Sequence, residues 1–189
     1  MQAVRKPIIN DVQRYTYADY CTWGEDERWE LIDGIAYAMA PAPARKHQKI
    51  TGKIYYQLAH FLRGNSCEVY ISPFDVRLNA ATKDDTVVQP DIVVVCDESK
   101  LDDCGCVGAP DMVVEVLSPS TSMRDRLMKF EKYRQVGVRE YWIVDPESKI
   151  VETHILKDGE YTKNAYGDDD VVPVFVLDGC NIDLGEVFA

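Results

Sequence analysis

Glu115 is the polar exception in an apolar run. Residues 111 to 121 read DMVVEVLSPST, and from Met112 to Leu117 every other side chain is apolar. A strand of that composition is ordinarily buried on both faces. An unpaired carboxylate there costs on the order of several kcal/mol. Asp91 opens a second apolar run, in TVVQPDIVVVC. Consecutive strands usually pair, and antiparallel pairing sets the start of the Asp91 strand beside the end of the Glu115 strand. Two carboxylates facing one small volume repel, which raises one pKa unless a cation lies between them. A hard divalent ion such as Mg²⁺ or Mn²⁺ relieves the repulsion and takes oxygen ligands. The residues alone leave a second possibility open: Glu115 accepts hydrogen bonds from Ser118, Tyr133 or a neighbouring backbone, with no metal.

The segment SPSTSMRDRLMKFEKYRQVGV reads as the helix after that strand, closed by Gly137. Asp125, Lys129 and Tyr133 fall at i, i+4 and i+8 and share one stripe. The stripe borders an apolar face of Met123, Leu127 and Phe130. Lys129 then reaches the acids as a cation that orients or activates a water. The plainer alternative is an Asp125–Lys129 helix pair worth a few tenths of a kcal/mol, roughly. Asp125 also suits a capping role with Ser122. The helix start at SPSTS offers backbone N–H groups to a phosphate.

The elements that must position these residues follow from pattern. RWELIDGIAYAM is a hairpin turned at Asp33-Gly34. Thr16 caps a short helix before it. His47 to Leu62 carries Ile50, Ile54, Leu58 and Leu62 at helical spacing. CEVYISPFDVRL is a strand broken by Pro73, followed by TVVQPDIVVVC, DMVVEVLS, the helix and REYWIVDP. Tyr141 and Trp142 pack the core, and Glu140 makes a buried polar contact. The core order is α-β-β-β-α-β. KIVETHIL, EYTKNAY and VVPVFVLDG form a C-terminal antiparallel extension. The expected class is α/β, or α+β, with a central mixed sheet flanked by helices. Nothing divides the 189 residues, so the expectation is one domain, 1–189, with a core of about 15–146 and an extension over 147–189.

The formal net charge of -11 argues against broad electrostatic adhesion to nucleic acid. Two segments run against it: RKHQKITGK, at 45 to 53, and RDRLMKFEKYR, at 124 to 134. Each is either a phosphate-attracting edge or a solvated helix face. No apolar run reaches the ~18 residues of a membrane span, and the start, MQAVRKPIIN, lacks a signal-peptide core. Cytoplasmic location is expected, with the six cysteines as reduced thiols. The CGC at 104 to 106 reads as a loop.

QPDIVVVCD, GAPDMVVEVLSPST, RDRLMKFEKYRQVGVREYWIVDP and the earlier WELIDGIAYAM together resemble the Uma family of the PD-(D/E)XK, restriction-endonuclease-like superfamily. The resemblance runs from about Tyr15 to Pro146. It implies a metal-dependent phosphodiesterase site in which Asp91 matches the PD aspartate and Glu115 the acid of the (D/E)XK element. The superfamily lysine would stand at 117, where this chain has Leu117. The resemblance places it instead on the following helix, at Lys129. Glu30 matches an acid of the ELIDG hairpin, as a third ligand or support, with an exposed hairpin glutamate as the alternative. His47 matches a histidine at the start of the first long helix, as a local hydrogen-bonding residue rather than a base.

The implied activity is hydrolysis of DNA phosphodiesters by an endonuclease using Mg²⁺ or Mn²⁺, with homodimerisation serving double-strand cleavage. The competing classes are a nuclease-like fold that binds nucleic acid or protein without cutting, and an enzyme acting on RNA.

Overall fold

Asp33 and Gly34 both take positive φ, 51° and 75°, as a type I′ turn requires. They close the first hairpin where the sequence places it. The computed structural model describes residues 13–24, 28–39, 42–118 and 124–189, without the side chains of 124–126. The first elements are Tyr17–Tyr20 (α1), Trp29–Ile32 (β1), Ile35–Ala38 (β2) and Arg45–Phe61 (α2). Next come Glu68–Ile71 (β3), Asp75–Arg77 (β4), Val87–Val88 (β5) and Ile92–Val95 (β6). Leu101–Asp102 (β7), Gly105–Val107 (β8) and Met112–Val116 (β9) follow. A π-helical turn, Arg124–Lys129, runs directly into Phe130–Val136 (α3). The chain ends with Glu140–Asp145 (β10), Ile150–Lys157 (β11), Glu160–Tyr166 (β12), Val171–Pro173 (β13), Asn181–Asp183 (β14) and Leu184–Phe188 (α4).

The central sheet has the order β12-β11-β10-β9-β6-β3. It is mixed, because β9 and β10 run parallel while β6 and β9 run antiparallel. The helical turn and α3 supply the connection that a parallel neighbour needs. The expected order α-β-β-β-α-β is therefore present as α2-β3-β6-β9-α3-β10. Alternation along the strands assigns the two faces. Ile92, Val94, Met112, Val114, Trp142 and Val144 pack against Ile50, Ile54 and Leu58 of α2. Val93, Val95, Val113, Tyr141 and Ile143 pack against Ile32, Val76 and Val88 of a second sheet and against Tyr133 of α3. That second sheet has the order β2-β1-β5-β4-β8-β7.

Several expectations need correction. TVVQPDIVVVC is two strands, not one. Pro90 has no N–H to give a ladder, and the chain turns there from the second sheet (β5) into the central sheet (β6). The break at Pro73 likewise sends β3 and β4 to different sheets. The CGC stretch is not all loop, since Cys106 lies in β8, parallel to β4. Only Val171–Pro173 of VVPVFVLDG is a strand, and it pairs with β14 in a separate sheet rather than extending the central one. Cys67 and Cys96 form a disulfide, where reduced thiols were expected. The register Glu68↔Val95 explains the pairing, since the next position outward sets Cys67 across from Cys96. Leu127 is 67% exposed and is not part of the apolar face. Met128, Phe130 and Val136 pack beside Tyr133 instead. A π turn holds more residues than an α turn, so the 3.6-residue stripe drawn from Met123 slips out of phase; Met123 itself lies outside the described residues. Among the described residues no helix is long and apolar enough to cross a membrane.

Glu140 ties the C-terminal segment to the central sheet. It is fully buried, accepts from Trp142 Nε1 at 2.7 Å, and accepts from the Val176 backbone N–H at 2.9 Å. Burial pushes its carboxyl up, and these donors oppose the shift. An amide has one acceptor oxygen and would turn donors toward a donor. Glu140→Gln should therefore destabilise the protein by about 1–3 kcal/mol, read from urea unfolding. An unchanged midpoint would mean that this bridge does not hold the segment down.

Candidate active site

Gln89, Pro90 and Asp91 form the corner where the two sheets meet. The register Ile92↔Val114 continues one step to set Asp91 across from Glu115. The Asp91 carboxylate caps the end of β9: its Oδ2 accepts the Val116 N–H at 2.8 Å. The same oxygen lies 3.3 Å from His47 Nε2, from the first turn of α2. Thr51 steadies that turn, its hydroxyl donating to the His47 carbonyl at 3.0 Å. His47 and Asp91 are thus a contact pair at the lip of the central sheet.

Glu115 points from β9 to the opposite face, toward the helical turn. Lys129 Nζ lies 2.7 Å from Glu115 Oε1 and 2.8 Å from Glu30 Oε1. Tyr133 donates its hydroxyl to Glu115 Oε1 at 2.9 Å. The backbone N–H of Gln89 donates to Glu30 Oε1 at 2.9 Å. These groups have left water almost completely: Glu30 and Tyr133 are 0% exposed, Lys129 2% and Glu115 4%. Withdrawing such charges costs several kcal/mol each, roughly, and is offset only by close pairing and added hydrogen bonds. One ammonium serves two carboxylates, with a phenol and a backbone N–H as further donors. Burial, and then the Glu115 charge, push the Tyr133 phenol well above its ordinary range, so it stays a donor.

The structure therefore places the expected residues in two groups: His47 with Asp91 on the α2 side, and Glu30, Glu115, Lys129 and Tyr133 on the opposite face, with Asp91 and Glu115 opposed in register. Glu30 is no exposed hairpin glutamate. β1 alternates, with Trp29 and Leu31 packed on Tyr15, Ala36 and Val87 and with Ile32 facing the central sheet; Glu30 is buried, its Oε1 2.8 Å from Lys129 Nζ. The side chain of Asp125 and the SPSTS segment from 119 lie outside the described residues. Among the described side chains of the two basic segments, several are engaged within the protein. Lys49 and Lys53 bond backbone oxygens of α4 and the residue after it. Lys132 pairs with Asp33, and Arg134 with Glu131 and Glu160.

Two acids, Glu30 and Glu115, share the one Lys129 ammonium, and Asp91 lies beside His47. No group of three or more His, Cys, Asp or Glu among the described residues is arranged to hold a metal ion. Asp91 and Glu115 are carboxylates, the ligand type that a hard divalent ion takes. Mg²⁺ is characteristically held by one or two carboxylates, with waters and substrate phosphates completing the shell.

Gln89 is the residue that sequence reasoning passed over. Its backbone holds Glu30, and its side-chain amide donates to Asp75 at 2.8 Å and to the Tyr20 hydroxyl at 3.1 Å while accepting from Arg28. Burial raises both Asp75 and Tyr20 above their ordinary ranges. The signal was a lone amide inside an apolar run, directly before Pro90.

A family model described as "Putative restriction endonuclease", Uma2, matches residues 15–185. The chain belongs to the Uma2 family. Two uncharacterized proteins of Synechocystis sp., slr1290 and sll1609, are similar at 31% identity each; the first match covers 76% of this chain and 75% of the relative, the second 81% and 86%. A crystal structure of a "putative nuclease belonging to DUF820" from Anabaena variabilis is similar in fold, with a TM-score of 0.73 at 18% identity over 92% of this chain and 97% of that one. The Uma2 fold seen here, a mixed sheet with few helices, is thus a restriction-endonuclease-like core.

In this Uma2 protein the Tyr133–Glu115 contact has a pH signature. The folded state holds the Tyr133 proton more tightly than the unfolded chain, whose tyrosines titrate near 10. Above that pH the unfolded state binds fewer protons, so stability falls as pH rises. Tyr133→Phe should lose about 1–2 kcal/mol at neutral pH and fall less steeply than wild type above pH 10, in chemical unfolding across pH. Parallel slopes for the two proteins would show that the phenol is not held as described.

Proposed function

We propose that the protein is a divalent-metal-dependent endonuclease that hydrolyses DNA phosphodiester bonds. The observation that carries the reading is the Lys129 ammonium 2.7 Å from Glu115, delivered from the helix to an acid whose own strand has Leu117 at the lysine position. Mg²⁺ or Mn²⁺ at Asp91 and Glu115 would supply a Lewis acid and an acidified water. Lys129 and Tyr133 hold the Glu115 carboxylate in one orientation, and Lys129 cancels part of the negative charge that a phosphate meets there. His47 and the Val116 N–H do the same for Asp91. Membership of the Uma2 family and the nuclease-like neighbour support this reading. Two copies would be needed to cut both strands of a duplex together, so we infer a homodimer.

One observation favours a second reading, a nuclease-like module that binds without cutting. The chain carries -11, and Lys49, Lys53, Lys132 and Arg134 are spent on internal contacts. Incubation with duplex DNA, single-stranded DNA and RNA in Mg²⁺ or Mn²⁺ separates the two. Cleavage of DNA should fall about 100-fold or more in Asp91→Asn and Glu115→Gln and vanish with EDTA. Cutting that survives both substitutions means another site. No cutting, together with no rise in melting temperature in millimolar Mn²⁺, supports the binding module. Cutting confined to RNA overturns the DNA assignment alone.

A further inference from the structure

The side of β1 facing away from Glu30 carries its own cavity. It has a volume of 300 Å³ and is lined by Tyr20, Trp23, Arg28, Trp29 and Gln89. Trp23 is half-buried and meets Tyr15, Tyr20 and Trp29 at ring-centroid distances of 5.2, 5.3 and 6.0 Å. The three interplanar angles are 89°, 60° and 70°. None of these three rings lies flat on the indole. Arg28 is exposed, and its guanidinium is anchored to the Gln89 side-chain oxygen and to the Ser72 hydroxyl at 2.8 Å. Gln89 is shared by cavity and site, its side chain lining one and its backbone N–H holding Glu30 of the other.

We propose that this cavity receives an unpaired nucleobase of a DNA strand, from a nucleotide flanking the phosphate presented to Asp91 and Glu115. The inference rests on the nuclease reading for the identity of the strand. An aromatic pocket takes either a cation or a flat ring system. The Arg28 guanidinium at its edge disfavours a cation and suits a strand that carries a phosphate beside each base. Arg28, held in place by Gln89, supplies the polar group that meets a base edge. A chain with so negative a total gains more from stacking than from distributed charge, because stacking does not depend on net sign. The cavity therefore gives the protein a preference for unpaired or extruded nucleotides over paired ones.

The test is equilibrium binding of labelled oligonucleotides by anisotropy, with Ca²⁺ as the hard cation. The arms are a single strand, the same strand built of abasic residues, and the fully paired duplex. Wild type should bind the base-bearing strand about ten-fold more tightly than the abasic one, with quenching of tryptophan fluorescence. Trp23→Ala should lose that preference and leave abasic binding unchanged, while Trp23→Phe keeps most of it; circular dichroism melting checks that both fold. Equal binding of the two strands by wild type, or an equal loss for both in Trp23→Ala, overturns the proposal. A protein that cuts DNA without a Trp23-dependent preference overturns the cavity and leaves the nuclease. One that shows the preference without cutting keeps the cavity as a binding subsite and removes the nuclease. Failure to bind any strand removes both.

Discussion

A lysine ammonium withdrawn from water has to be paired, and in this protein that requirement joins three parts of the chain. Lys129 comes from the helical turn, Glu30 from the second sheet and Glu115 from the central sheet. Each of the three would be costly alone, since breaking such a buried pair costs about 3–5 kcal/mol. The contact therefore registers the two sheets and the helix against one another beside the strand position where Asp91 lies across from Glu115. Hydrophobic packing brings these layers together but is not directional. The ion pair is directional, and it decides which carboxylate oxygen faces which neighbour.

The same contact bears on the proposal that the lysine of the strand motif is supplied from the helix. A residue two positions after Glu115 on the strand shares its face, which is where Leu117 now closes apolar packing beside Tyr133 and Val138. Supplying the cation from a separate element frees that strand position for the core. It also adds a second anchor, because the stripe that carries Lys129 carries Tyr133 one turn later, and both reach the same oxygen of Glu115. Lys129 and Tyr133 both hold the acid from the helix side, while Asp91 is held by His47 and a backbone N–H.

Local pattern made much of this legible. The Asp33-Gly34 turn, the four-residue spacing in α2, the apolar runs of β6, β9 and β10, and the glycine that ends α3 are all short-range signals, and each lies where it was expected. The antiparallel pairing of β6 with β9 also followed, because neighbouring runs usually pair, but the Asp91 carboxylate turns to His47 and that of Glu115 to Lys129. What stayed hidden is long-range. Nothing near Glu30 in the sequence says that its strand faces inward across the molecule toward a lysine 99 positions later. A proline inside an apolar run reads equally as a kink or as a change of sheet, and Pro90 proved to be the second. The cysteine pairing depended on the β3–β6 register, which composition does not encode. Lysines on a helix face look alike whether they await a phosphate or cap the carbonyls of another helix, as Lys53 does.

The π turn at Arg124–Lys129 carries a consequence for anyone lining up relatives of this chain. A turn of this kind amounts to one residue more than a regular helix of the same rise. Remove that residue and everything before it rotates by roughly 100° about the helix axis. Two homologues differing by this one insertion would keep the cation in the same place in space while its column in an alignment shifted. Counting from the strand acid is thus a poor guide to equivalence here, and superposing ammonium groups a better one.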